Sequence, residues 1–149
     1  MYSVEEFDEQ KTRVMKFILY QKRTEQEVRR KFESTIDSNM LEDIIEYLKE
    51  AKYLDDKEYI QKAINNFKLL KNLSLVEVKN KLYMKGLDKN DIEDYFYENK
   101  DELNEYEINS IRKIFDKKKN EYGTEKMKQY LLKKGYKADN INLILEEKF

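Results

Sequence analysis

Cysteine, histidine, proline and tryptophan are all absent from this 149-residue chain, and glycine occurs only 3 times. Each absence excludes something. Without cysteine there is no disulfide, no thiolate nucleophile and no cysteine-ligated zinc. Without histidine the chain lacks the commonest general base near neutral pH and the commonest metal ligand. With no proline and isolated glycines at Gly86, Gly123 and Gly135, little interrupts a helix and no glycine-rich phosphate loop exists. Long apolar runs are missing too. The stretch Phe17 to Tyr20 is far too short to span a bilayer. Glu5, Glu6, Asp8 and Glu9 stand where a secretory leader would be basic, so the chain is expected to stay in the cytosol.

What is present points to a packed helical protein. Charged residues make up 41% of the chain, and 12 Tyr with 7 Phe supply enough bulk for a core despite a mean hydropathy of -0.97. An internal repeat organises the rest. Thr24-Glu-Gln-Glu-Val28-Arg-Arg-Lys-Phe32 matches Ser74-Leu-Val-Glu-Val78-Lys-Asn-Lys-Leu82 and, more loosely, Gly123-Thr-Glu-Lys-Met127-Lys-Gln-Tyr-Leu131. Val28 precedes Val78 by 50 residues, and Val78 precedes Met127 by 49. The second and third copies continue alike, as Lys85-Gly86-Leu87 and Lys134-Gly135-Tyr136, whereas the first has Ile36 at the glycine position and must leave its helix differently.

Start and stop signals divide each period into three helices. An oxygen acceptor precedes Glu by three residues at Ser3/Glu6, Thr24/Glu27, Asn39/Glu42, Asp55/Glu58, Ser74/Glu77 and Asn104/Glu107. Gly86 and Gly135 are suited to close helices in the left-handed conformation. Helical apolar spacing runs between these marks, as in Leu41/Ile44/Ile45/Leu48 and Ile141/Ile144/Leu145. The expected fold is all-α: nine helices as three tandem triplets in an elongated, curved array, with modules at 1–54, 55–103 and 104–149. The stripes Val28/Phe32, Val78/Leu82 and Met127/Leu131 read as core. Adjacent Asp55 and Asp56 point about 100° apart on a helix, so capping suits them better than an acid/base or metal site.

Charge alternates in step with the repeat. Residues 11–32 hold eight basic against two acidic residues, 41–58 hold three against seven, and 59–87 hold six against one. Residues 88–107 then hold two against nine, and 112–137 ten against three, although the whole chain carries only -1. The first two helices of each triplet are thus basic and the third acidic. Two readings remain open: a basic stripe that meets a charged, periodic partner, or basic and acidic helices that neutralise one another within each triplet.

Four segments together resemble the RecX family. Arg23-Thr24-Glu25-Gln-Glu27-Val28-Arg-Arg-Lys31-Phe32 is similar to its first-repeat signature. Lys52-Tyr53-Leu54-Asp55-Asp56 is similar to its Gly-Tyr-Leu-Asp-Asp junction, with Lys52 in place of the glycine. Met84-Lys85-Gly86-Leu87 and Lys134-Gly135-Tyr136 match its Lys-Gly turns. The resemblance runs from about Val14 to the C-terminus. It implies a triple helix-repeat protein lying in the groove of the RecA filament, against RecA and the single-stranded DNA within it. There it would restrain filament growth, ATP hydrolysis, strand exchange and repressor cleavage. It implies no cofactor, metal, small-molecule substrate, membrane or catalysis of its own.

Candidate contacts are the basic residues beside the repeated core: Arg23, Arg29, Arg30, Lys79, Lys81, Lys85, Lys126, Lys128, Lys133 and Lys134, with Tyr83 and Tyr130 beside them. They would dock on acidic recombinase surface or DNA phosphate. A competing reading is a helical array that binds nucleic acid directly, because triplets with basic second helices resemble helix-turn-helix folds. The acidic third helices count against bare duplex. A third is a scaffold without any recombinase link.

Overall fold

The computed structural model describes residues 1–148 and is helical throughout, with no strand among them. The first triplet is α1 (Val4–Tyr20), α2 (Glu25–Phe32) and α3 (Ser38–Glu50). The second is α4 (Asp56–Leu70), α5 (Leu75–Met84) and α6 (Lys89–Glu98), and the third α7 (Lys100–Lys118), α8 (Thr124–Lys134) and α9 (Ala138–Lys148). Buried side chains form three clusters, from Val14 to Leu54, Ile60 to Leu103, and Ile111 to Ile144. The repeated stripe lies at the heart of each, with Val28, Val78 and Met127 all fully covered. Each large aliphatic side chain so buried contributes roughly 1.5–3 kcal/mol.

Most expected caps are in place. Thr24 and Ser74 form complete capping boxes with Glu27 and Glu77, and Ser3 and Asp55 accept from the amides of Glu6 and Glu58. Two are corrected. α3 is capped two residues earlier than Asn39: Asp37 accepts from the amides of Asn39 and Met40, which places Met40 and Leu41 inward. α7 starts at Lys100, only one residue after α6, so Asn104 lies inside the helix. α7 therefore runs unbroken through position 104, and its first turn gives Leu103 to the second cluster.

The triplets meet through their second helices. Thr24 accepts from its own helix through the Glu27 amide and donates its hydroxyl proton to the Lys85 carbonyl at the end of α5, 3.0 Å away. Ser74 repeats the arrangement: it accepts from the Glu77 amide and donates to the Lys134 carbonyl at the end of α8, at 2.7 Å. Both hydroxyls are fully buried. The start of α2 thus meets the end of α5, and the start of α5 meets the end of α8. Opposite helix-dipole ends face each other at both joints.

This arrangement explains the glycines. Gly86 and Gly135 have φ of +77° and +98°. A Cβ on Gly86 would also collide with the Gln26 side chain, and one on Gly135 would lie 2.9 Å from the Cβ of Val76. They are glycines because a neighbouring triplet sits against them. Ile36, at the matching place in the first triplet, is a buried core residue; α2 ends at Phe32 and the Ile36 amide donates back to the Phe32 carbonyl.

The second joint is the more heavily bonded. Glu107, fully buried on α7, accepts from the Leu75 amide at 2.8 Å, the Lys137 amide at 3.0 Å and the Asn140 side-chain amide at 3.0 Å. Tyr106 and Tyr136 donate to the carbonyls of Lys71 and Asn72, and the Tyr106 oxygen accepts from the Leu73 amide. Burial pushes both phenols above their ordinary pKa. At the first joint Asp56 takes the place of Glu107. One methylene shorter, it accepts from the Glu25 amide at 3.0 Å. No helix pair across that joint packs as closely as α7 packs on α5 and α6.

Two outcomes follow for stability. Lys52 has φ +67°, a conformation unfavourable for a side chain with a Cβ, in the turn that closes α3. Lys52→Gly is expected to stabilise the protein by about 0.5–1 kcal/mol, read as a higher urea midpoint by circular dichroism. Glu107→Gln replaces one acceptor oxygen with a donor facing other donors. It is expected to lower stability by about 2–3 kcal/mol; an unchanged midpoint would remove Glu107 from its place as the organiser of the second joint.

Candidate partner-binding surface

The ten candidate cations fall into two groups once their neighbours are seen. Arg29 is held by two carboxylates: its Nε lies 3.2 Å from Glu25 and its Nη2 3.2 Å from Glu42 on α3. Lys79 holds the corresponding place on α5, with Nζ 3.1 Å from Glu93 of α6 and 4.8 Å from the centre of the Phe96 ring. Lys85 reaches across the first joint to Glu27 at 3.5 Å. Arg23 lies over the Phe17 ring at 4.1 Å and 4.0 Å from Glu27. The acidic third helices therefore neutralise part of the basic second ones within each of the first two triplets. Tyr83 joins that pairing by donating to Glu93 at 3.1 Å.

The remaining candidates have no carboxylate partner among the described residues. Arg30, Lys81 and Lys133 are exposed, and Lys128 is half-buried. Lys126 and Lys134 are exposed and lie 4.6 Å and 5.8 Å from the rings of Tyr122 and Tyr130. Asn142 explains the freedom of Lys128. It occupies on α9 the place that Glu42 has on α3 and Glu93 on α6, one residue after the buried Leu41, Ile92 and Ile141. Sequence reasoning treated the three lysine sets as equivalent, but the change from Glu to Asn could have separated them.

A cleft of about 800 Å³ opens at the first joint, where Glu107 has no full counterpart. Asp56, Asp88 and Asp91 line it together with Arg29, Lys49 and Lys52. Burial raises the Asp56 pKa, and Glu25 and Asp91 push it the same way against the Glu25 amide. Among the described residues no group of three or more side chains is arranged to hold a metal ion, and no helix is long and apolar enough to cross a membrane.

Comparisons with known proteins agree on one family name. A regulatory protein RecX of Staphylococcus epidermidis is 31% identical over 99% of this chain and 58% of its own length. One of Finegoldia magna is 38% identical over 56% of this chain and 42% of its own, and one of Clostridioides difficile 26% identical over 92% and 66%. The chain thus spans between about two fifths and two thirds of the length of these curated relatives. A crystal structure of RecX from Lactobacillus salivarius superposes with a TM-score of 0.81 at 25% identity, covering 97% of both chains. A second regulatory-protein RecX structure gives 0.78 at 20% identity, over 94% of this chain and 73% of that one, and attests to the fold. No family model matches the chain.

The ion pairs make acid sensitivity predictable. Hydrogen bonds from Arg29 lower the pKa of Glu42, those from Lys79 and Tyr83 lower that of Glu93, and Lys22 with Lys62 bring Glu58 down to about 2. A lowered carboxylate contributes stability that is whole above its unfolded value and is lost as pH falls through the folded one. Asp56, raised, works in the opposite sense: its contribution is present below its unfolded pKa and is lost as pH rises through its folded value. At low salt the urea midpoint is expected to fall between about pH 4.5 and 2. In Asp56→Asn the fall should be steeper, and a flat profile in both proteins would contradict the pairing.

Proposed function

We propose that the chain is a regulatory protein of the RecX family that binds the RecA filament on single-stranded DNA and inhibits RecA's ATPase, strand-exchange and coprotease activities. It would act in the cytoplasm as a regulator of DNA repair and recombination, by occupancy and without chemistry of its own. The observation that carries this reading is the match to a RecX crystal structure along 97% of both chains, at a TM-score of 0.81. The proposed modules remain 1–54, 55–103 and 104–149, repeated elements that a helical filament can meet in succession.

The geometry narrows which cations serve the contact. Arg23, Arg29, Lys79 and Lys85 are engaged by carboxylates or rings of their own chain, so a partner would have to displace those contacts. Lys81, Lys128 and Lys133 need no such displacement, and Arg30 meets only the uncharged Gln26 side chain; these four are proposed as the first contacts, with Lys126 and Lys134 beside them. Direct partner charge can act on them at little cost.

The test is RecA's DNA-dependent ATPase with this protein at substoichiometric ratios. Inhibition is expected well below one protein per RecA, and none at any ratio would overturn the reading. Arg30→Glu, Lys81→Glu and Lys133→Glu together should weaken filament binding at least tenfold while leaving the helical circular dichroism intact. Undiminished binding would return these residues to an ordinary solvated face.

A further inference from the structure

The third triplet differs from the other two in one consistent direction. At the place of Glu27 and Glu77, whose carboxylates complete the capping boxes, it has Lys126. In the register that matches Ile60 and Ile64 with Ile111 and Phe115, it has Lys118 at the place of Phe17 and Phe67, and at the place of Glu42 and Glu93 it has Asn142. Negative and apolar groups are thus replaced by positive and neutral ones at matching positions. Consequently no lysine from 113 to 137 forms an ion pair with a described carboxylate, whereas Arg29 of α2 and Lys79 of α5 do.

These lysines are arranged around two aromatic rings. Tyr122 and Tyr130 meet edge to face, with ring centres 5.6 Å apart. Lys118 lies 5.2 Å from one and 5.0 Å from the other, while Lys126 and Lys134 flank Tyr122 and Tyr130 respectively. Lys126, Tyr130 and Lys134 are four residues apart on α8 and so share a face. The start of α8 adds to this: Gly123 supplies no side-chain cap, and a Cβ there would meet nothing within 4 Å. Cations spaced along a helix face with aromatic rings between them suit a flexible polyanion that carries flat bases.

We propose that the Lys118, Tyr122, Lys126, Tyr130 and Lys134 cluster binds the sugar-phosphate backbone of a single-stranded polynucleotide, with a base resting on a tyrosine ring. The lysines neutralise successive phosphates. Arg29 and Lys79, the matching cations of the first two triplets, are held by Glu42 and Glu93 and contribute little to this contact. The inference deepens the function proposed above, which supplies its biological setting, but its own test needs no recombinase.

Anisotropy of a labelled oligo(dT) of about 18 nucleotides, titrated with the full chain between about 50 and 200 mM KCl, provides that test. The wild type should bind with strong salt dependence. The triple variant Lys118→Gln, Lys126→Gln, Lys134→Gln should reduce the slope of log affinity against log salt by about 2, at about 0.7 per phosphate contact. The triple Lys16→Gln, Lys57→Gln, Lys89→Gln, at exposed lysines outside the proposed filament contacts, should leave the slope unchanged. Tyr130→Leu should weaken binding about tenfold at an unchanged slope. Circular dichroism checks that every variant is folded.

No binding by the wild type, or equal slope losses in the two triples, would overturn the proposal. So would a third-triplet variant that keeps the oligonucleotide but loses DNA-free recombinase, because the cluster would then be a protein-docking surface. Oligonucleotide binding without any effect on RecA's ATPase would instead sink the proposed function and leave this inference standing.

Discussion

Thr24 and Ser74 each place one hydroxyl where two helices from different triplets meet. A hydroxyl can accept and donate at once, so the same oxygen caps its own helix and engages the last turn of the next triplet's second helix. The rest of the architecture follows from that dual use. The carbonyl partner must come within hydrogen-bond distance, which requires a glycine beside it. The hydroxyl must be shielded from water, which requires the flanking cores to close over it. Neither triplet has a core large enough to stand well alone, so the joint and the cores depend on each other.

Much of this was legible in the sequence. The period and, among the described residues, the nine helices and the two complete capping boxes are local features, and local features leave local signatures. Misplacements occurred where two candidate caps lay close together. Asp37 and Asn39 both offer an oxygen near the start of α3, and the choice is made by the need to bury Met40 and Leu41. Asn104 looked like a cap because Glu107 follows it by three residues, yet that glutamate serves backbone amides at Leu75 and Lys137, 32 and 30 residues away. No single-chain spacing announces such a partner. The pairing of Arg29 with Glu42 and Lys79 with Glu93 was also hidden, because it depends on which faces of neighbouring helices look at each other.

The two joints share a plan and differ in completeness. At the second, Glu107, Tyr106 and Tyr136 fill the space between triplets with satisfied polar groups. At the first, the shorter Asp56 leaves a charged cleft, and Lys52 adopts a strained left-handed turn at its edge. Ion pairing follows a related asymmetry: second-helix cations meet third-helix carboxylates in the first two triplets and, among the described residues, not in the third. A chain of nearly zero total charge can therefore present a strongly basic region.

The wiring of the joints also bears on how the chain reaches this structure. Contacts within a triplet connect residues close in sequence, whereas the bonds from Thr24 to Lys85 and from Ser74 to Lys134 span 61 and 60 residues. Local helices and their small cores can form quickly, and the long-range closures come after them. Because each joint hydroxyl both caps one triplet's second helix and bonds the last turn of the next, losing it would loosen a helix start and a seam between triplets at once.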